Sequence, residues 1–233
     1  MTKTLGRFYK KADRRPVDGG FAVLLDDRPV KTPKTRRDLT VPSDRLAAAI
    51  ADEWAAQSET VDPATMPFTA LASTAHDLED HRTELVTEIA RHAETDTLCY
   101  WAPEPAELRR RQHVTWQPLL DWIALTYDAR LNVTTGVLPI DQTSEAIRAS
   151  HEAVDKLDTF RLAALSSAVK ASSSLVIGFA LLEKVLNGDQ AFDAAEIEAS
   201  FQIEQWGLDA EAEARRKQVY ADLVAAADFR DLL

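Results

Sequence analysis

The hydrophobic period changes at Ser43, and no other feature constrains the fold as much. Upstream, short apolar runs alternate with turn residues. Residues 7–10 read as a short aromatic strand, Asp18-Gly19-Gly20 as a turn, and Phe21-Ala22-Val23-Leu24-Leu25 as a compact apolar strand. Asp26-Asp27 makes a tight connection into residues 28–32, and residues 38–41 supply a further strand stopped by Pro42. Pro29 and Pro33 belong on edges, because proline has no N–H to give to a ladder. Such a meander is too small to stand alone and needs helices over one face.

From Ser43, a helix N-cap, Leu46, Ala49, Ile50 and Trp54 recur at helical spacing. After a loop with Pro63 and Pro67, the series Leu71, Ala75, Leu78, Leu85, Ile89 marks one long helix or two abutting ones. Residues 96–101 break the pattern, and Pro103 and Pro105 open the next element. His113, Trp116, Leu120, Ile123 and Tyr127 form an amphipathic stripe. Residues 131–139 are an irregular link and Ser144 caps the next helix. A long helix is expected from Asp158 to about Leu186, another from Asp193 to Trp206-Gly207, and a last one over residues 209–227. The fold class is therefore α+β: a β-rich N-terminal domain with the first helix over residues 1–65, then a helical domain over 66–233.

Charge limits the partners. Residues 1–45 hold 12 Lys+Arg against 6 Asp+Glu, a net +6, while the remainder is −17. A basic end on a strongly acidic body repels phosphates over most of its surface, which disfavours nucleic acid and anionic membrane. The most apolar run, Leu175-Val176-Ile177-Gly178-Phe179-Ala180-Leu181-Leu182, falls far short of the roughly 20 residues of a membrane span. No membrane insertion is expected. The single Cys99 cannot form an internal disulfide, and residues 1–10 lack the apolar core of a secretory signal.

The chemistry-bearing clusters are weak. His76 and His81 with Asp77, Glu79 and Asp80 resemble metal ligands, yet i and i+5 on a helix point about 140° apart. A solvated charged face explains them better, and no metal is expected. Cys99 lacks the flanking motif of a catalytic thiol, and no glycine-rich phosphate loop is present, so neither a catalytic set nor a cofactor is expected. The basic run at residues 31–37 has no interleaved aromatics for stacking nucleic acid and reads as a solvated hairpin or a patch steering toward an acidic partner. Arg109, Arg110 and Arg111 are dispersed around a helix. The five tryptophans, Trp54, Trp101, Trp116, Trp122 and Trp206, are either large core residues or binding anchors.

One ordered set of motifs goes further. Gly20-Phe21-Ala22-Val23-Leu24-Leu25-Asp26-Asp27-Arg28-Pro29-Val30-Lys31-Thr32-Pro33 is followed by Glu53-Trp54, Met66-Pro67 and Asp96-Thr97-Leu98-Cys99-Tyr100. Then come Trp116-Gln117-Pro118-Leu119-Leu120-Asp121-Trp122, Gly136-Val137-Leu138-Pro139, Ser174-Leu175-Val176 and Gln202-Ile203-Glu204-Gln205-Trp206-Gly207-Leu208-Asp209. This series resembles the chaperone family that assists assembly of the F1 catalytic head of the F-type ATP synthase. The chain departs from the family pattern with Asp27 in place of a glycine, Trp101 in place of an arginine, and Ala199 after Glu198.

The resemblance implies a small β-domain joined to a helical domain, and no enzyme activity. It implies transient binding of the unassembled alpha subunit until a beta subunit replaces the chaperone. The N-terminus resembles that of a bacterial, cytoplasmic member. Gln202, Glu204, Trp206 and Gly207 are the leading partner-binding candidates, with Trp101, Arg28 and Lys31 beside them. Against this, Trp206 and Gly207 could simply lock a helix end, with the indole packed inward. The rival function is a small-molecule binding protein or enzyme using the corner from Asp96 to Trp101 together with His113.

Overall fold

The structure, a computed structural model, describes residues 5–233. Near the N-terminus β1 (Leu5–Gly6) is followed by β2 (Ala12–Val17), β3 (Gly20–Leu25), β4 (Arg28–Pro29) and β5 (Thr40–Val41). β3 is the spine of the small sheet. It pairs antiparallel with β2 from Ala12↔Leu25 to Val17↔Gly20, with β4 through Leu24↔Pro29, and with β5 through Phe21↔Val41. Gly20 is required where β5 crosses, since a Cβ there would lie 2.3 Å from the Val41 carbonyl oxygen. Residues 7–10 are not a strand. The strand that pairs with β3 is Ala12–Val17, whose sequence ADRRPV is too polar to show a strand period.

Helix α1 (Asp44–Ala55) is capped by Ser43, whose side chain accepts from Leu46 N, and it lies over β2 and β3. Leu46 and Ile50 of α1, like Val23 and Leu39, are fully buried in the core of this half. β6 (Thr60–Val61) pairs with β1, and α2 (Pro67–Asp77) packs on α1. Glu53 of α1 caps α2, accepting from Phe68 N at 2.7 Å and from Thr69 N at 2.8 Å. A one-turn 3₁₀ helix separates α2 from α3 (Arg82–Ala90), so the Leu71–Ile89 series is two helices.

Next come β7 (Tyr100–Trp101), α4 (Ala106–Tyr127), β8 (Thr134–Thr135) and α5 (Ser144–Asp155). Thr143, not Ser144, caps α5. The remaining helices are α6 (Thr159–Ser172), α7 (Leu175–Leu182), α8 (Gly188–Ala195), α9 (Ile197–Trp206) and α10 (Ala210–Leu232).

The expected single helix from Asp158 to Leu186 is thus two, α6 and α7. Ser173 turns left-handed at φ 55, and the Ser174 side chain caps α7 by accepting from Ile177 N. Serines that satisfy the backbone locally compete with helix continuation. The helix expected from Asp193 likewise starts earlier, because Asn187 and Gln190 form a capping box on α8, and a new helix begins at Ile197. The last helix runs on to Leu232 rather than stopping at residue 227.

The chain divides into two compact units, one running to Arg82 and including Asp228–Leu233, the other Thr83–Ala227. The division expected after residue 65 falls inside the first unit, because α2 is held by the Glu53 cap on α1. The architecture is α+β, with the antiparallel strands clustered near the N-terminus.

Candidate functional site

Helix α9 is anchored from within its own unit. Ile197 and Phe201 are buried, and Glu196 just before the helix accepts from Arg215 and Arg216 of α10 at 2.7–2.9 Å. Glu198 accepts from Gln112 of α4, whose own side-chain oxygen accepts from Ala102 N. One face is therefore pinned. Gln202 and Trp206, four residues apart, share the outward face, with Trp206 79% exposed, whereas Glu204, two residues from each and so about 200° around the helix, lies at the exposed edge of the pinned side. Gly207 ends the helix at φ 85, its N–H bonded to the Ile203 carbonyl at 2.8 Å. The inward-packed tryptophan is thereby set aside: the glycine stops the helix, but the indole points to solvent.

Arg111 of α4 braces the edge of the pinned side. Its guanidinium donates to Glu204 at 2.7 Å and to Glu107 at 3.0 Å, and sits 5.3 Å over the Phe201 ring. Hydrogen bonds from Arg110 and Arg111 lower the Glu107 pKa to about 2, and Arg111 lowers that of Glu204. The acids at this face stay charged through the neutral range. Val114, three residues after Arg111 and so on the same side of α4, is 63% exposed, and Leu208 is exposed just past Gly207. Val114 and Leu208 were missed as candidates because exposure, unlike periodicity, leaves no mark in a sequence.

Trp101 is placed differently. Its indole N–H donates to the Leu98 carbonyl at 2.8 Å, and its ring meets His113 edge-on at 5.3 Å. His113 follows Arg111 by two residues, about 200° around α4, so Trp101 and Glu204 address different sides of that helix. Beside Trp101, whose carbonyl accepts from Gly136 N, the loop presents Val137 and Leu138 to solvent. Arg28 and Lys31 belong to the other compact unit, Arg28 in β4 of the hairpin and Lys31 just past it, where it is paired with Asp38.

The corner from Asp96 to Trp101 lacks a reactive group. Asp96 is fully buried and caps α7, accepting from Leu98 N, Ser174 Oγ and Val176 N at 2.8–3.0 Å. Burial raises its pKa while those donors pull it down. Burial, with Asp96 nearby, pushes the Cys99 thiol up to about 12, the reverse of what a nucleophile needs. The carboxylates near His76 are likewise structural: Asp77 accepts from Thr35 N and Thr35 Oγ1 at 3.1 and 2.7 Å, and Asp80 pairs with Arg37. His76 meets the backbone of Thr40.

A protein-binding module is what these features define: exposed apolar tips on pinned helices, with the interior acids engaged as caps. Its chain matches the family model described as ATP12 chaperone protein over residues 6–124, just over half its length. It resembles the crystal structure of Atp12 from Paracoccus denitrificans with a TM-score of 0.91 and 35% identity, covering 98% of both chains. It is 28% identical to the mitochondrial protein atp12 of Schizosaccharomyces pombe, over 86% of this chain and 73% of that protein. The Saccharomyces cerevisiae mitochondrial ATP12 is 23% identical over 89% and 78%. The chain belongs to the ATP12 chaperone family, and it is a chaperone of ATP synthase F1 assembly rather than an enzyme.

Proposed function

We propose that this chaperone holds the unassembled alpha subunit of F1 in the bacterial cytoplasm and yields it to the beta subunit. The α9 tip makes the contact, with Gln202, Glu204, Trp206 and Gly207 at its centre. The observation that carries this reading is Trp206, 79% exposed on a helix whose opposite face is locked. A large apolar side chain on a rigid support is the usual form of a binding anchor, and it loses little conformational entropy when covered. An unassembled ring subunit exposes apolar surface that aggregates unless it is covered. A small contact surface covers it reversibly, and the larger subunit interface displaces the chaperone.

Aggregation of purified alpha subunit, followed by light scattering, tests this. Wild type suppresses scattering, and added beta takes over the client. Trp206→Ala, which keeps a wild-type melting point because the side chain is solvent-facing, weakens client binding by about 2 kcal/mol, roughly thirtyfold. Glu204→Lys places a like charge against Arg111 and weakens it as well. Equal protection by both folded variants would remove the site. Unchanged aggregation with wild type would remove the alpha-subunit reading.

A further inference from the structure

The loop that follows α4 is clamped at its base and apolar at its tip. Asn132 N donates to Gln142 Oε1 at 2.7 Å, Gln142 Nε2 donates back to the Asn132 carbonyl at 3.0 Å, and Asn132 Nδ2 donates to the Asp141 carbonyl at 3.0 Å. Between these ends runs β8, paired in parallel with β7 through Tyr100↔Thr134 and Trp101↔Thr135. β7 is held in turn, because the Trp101 indole is bonded to the Leu98 carbonyl. Gly136 then turns the chain at φ 97 and sets Val137 and Leu138 in solvent, 93% and 75% exposed. Two adjacent apolar side chains held this far out contribute nothing to the core.

The outer edge of β8 is open. Successive residues of a strand turn their main-chain groups to opposite sides. Gly136 N donates to the Trp101 carbonyl at 2.8 Å; in that pattern the Thr134 carbonyl also faces β7, and the N–H and carbonyl of the intervening Thr135 face outward. β7 and β8 form a two-stranded sheet, so no third strand among the described residues covers Thr135. Val133 and Thr135 are exposed, and the segment from Leu131 to Ile140 holds no charged residue of the kind that guards most native edges.

These features select an occupant. An outward main-chain donor and acceptor on an extended strand are matched by another extended backbone, and exposed apolar side chains beside them by apolar side chains. A neutral edge gives a charged segment nothing in return for its lost hydration. A net charge of −11 on each chain opposes a second copy of the protein and an anionic membrane. An F1 assembly chaperone meets a different polypeptide, a subunit whose assembly contacts are still unmade.

We infer that the outer edge of β8 pairs with an extended, uncharged segment of the client subunit, with Val137 and Leu138 packing on its apolar side chains. The inference rests on the client reading in naming the source of the segment, and a peptide tests the edge apart from it. The probe is a fluorescein-labelled, end-blocked peptide of alternating threonine and valine, compared by anisotropy with the same peptide N-methylated at its backbone amides. The unmodified peptide binds the full chain, and the N-methylated one binds about tenfold or more weaker. Val137→Ser combined with Leu138→Ser weakens the unmodified peptide about tenfold. Thr135→Pro, which removes the outward N–H and no bond to β7, weakens it about fivefold. Leu125→Ser, at an equally exposed apolar position of α4, is the control and changes nothing. Melting curves establish folding, and the double serine variant alters only solvent-facing side chains. Purified alpha subunit in complex with the chaperone displaces the peptide.

Absence of binding by the unmodified peptide would overturn the inference. So would equal affinity for the N-methylated peptide, or wild-type affinity in the folded edge variants. A complex with alpha subunit that leaves the peptide bound would remove the client as the source of the segment, whereas absence of any complex would overturn the client reading itself, the peptide results still deciding the edge. Concentration-dependent dimerisation that Thr135→Pro abolishes would assign the edge to a second copy of the chain instead.

Discussion

Asp27 stands at φ 66, directly after Asp26 at φ 46, and the two make the β3–β4 hairpin turn. Two successive positive φ values define the turn type that matches strand twist, and glycine meets this requirement without the clash of a Cβ. Asp26 has a compensation, since its carboxylate accepts from Lys10 N at 3.0 Å and Lys11 N at 2.9 Å. Asp27 is exposed and accepts no such bond among the described residues. Asp27→Gly is therefore expected to stabilise the protein by about 0.5–1 kcal/mol, after subtracting the greater freedom glycine gains in the unfolded chain. Urea unfolding of the two proteins checks the sign. The turn was legible from Asp26-Asp27 alone, and the missing glycine was legible from the family motif. The Asp26 cap was not, because its donors lie about fifteen residues upstream in a segment with no period.

Helices α6 and α7 pack closely at Gly178, and here the element rather than the residue sets the energetics. A Cβ on Gly178 would lie 2.7 Å from Val169 Cγ2 and 3.0 Å from Leu165 Cδ1. Two effects oppose each other on substitution. Alanine gains about 1 kcal/mol in helix propensity, while overpacking a filled core costs about 1–3 kcal/mol. The branched Val169 cannot swing its methyl away as a long flexible chain would, so overpacking wins. Gly178→Ala is expected to lose about 1 kcal/mol net, and Val169→Ala in the same chain to recover part of that loss relative to its single-mutant cost. Denaturant midpoints of the four proteins in the cycle measure it. Sequence periodicity found the helical half but merged α6 with α7, since apolar residues continue on both sides of Ser173. Only the buried Asp96, held by Ser174 Oγ and Val176 N, shows why the chain restarts there. Several motif residues are explained by the same kind of contact: Glu53 caps the helix that begins at Pro67, and Trp116 donates to Ala194. For the site, the α9 motif was visible in the sequence. The exposure of Trp206, Val114 and Leu208, and the ion pair that joins Arg111 to Glu204 across 93 positions, were not.

Across the molecule, the lone Cys99 reports on the opening of the larger compact unit. It has no exposed surface, its N–H is bonded to the Asp96 carbonyl at 2.9 Å, and burial pushes its pKa up to about 12. Disulfide exchange needs the thiolate and an open path, and the native state withholds both. A disulfide reagent at neutral pH is therefore expected to label native protein very slowly, and one thiol per chain at once in denaturant. When closing is faster than labelling, the observed rate follows the equilibrium population of the open form. A loss of about 1 kcal/mol in Gly178→Ala should then speed labelling about fivefold. Asp27→Gly, in the first compact unit, separates two kinds of opening. If Cys99 is reached only when the whole chain unfolds, Asp27→Gly slows labelling by the factor that its stabilisation dictates. If the unit Thr83–Ala227 opens by itself, Asp27→Gly leaves the rate alone while Gly178→Ala still raises it. A rate that ignores both substitutions would place the exposure in a local fluctuation around residues 96–99, and the core contacts of α7 would then not govern access to the thiol.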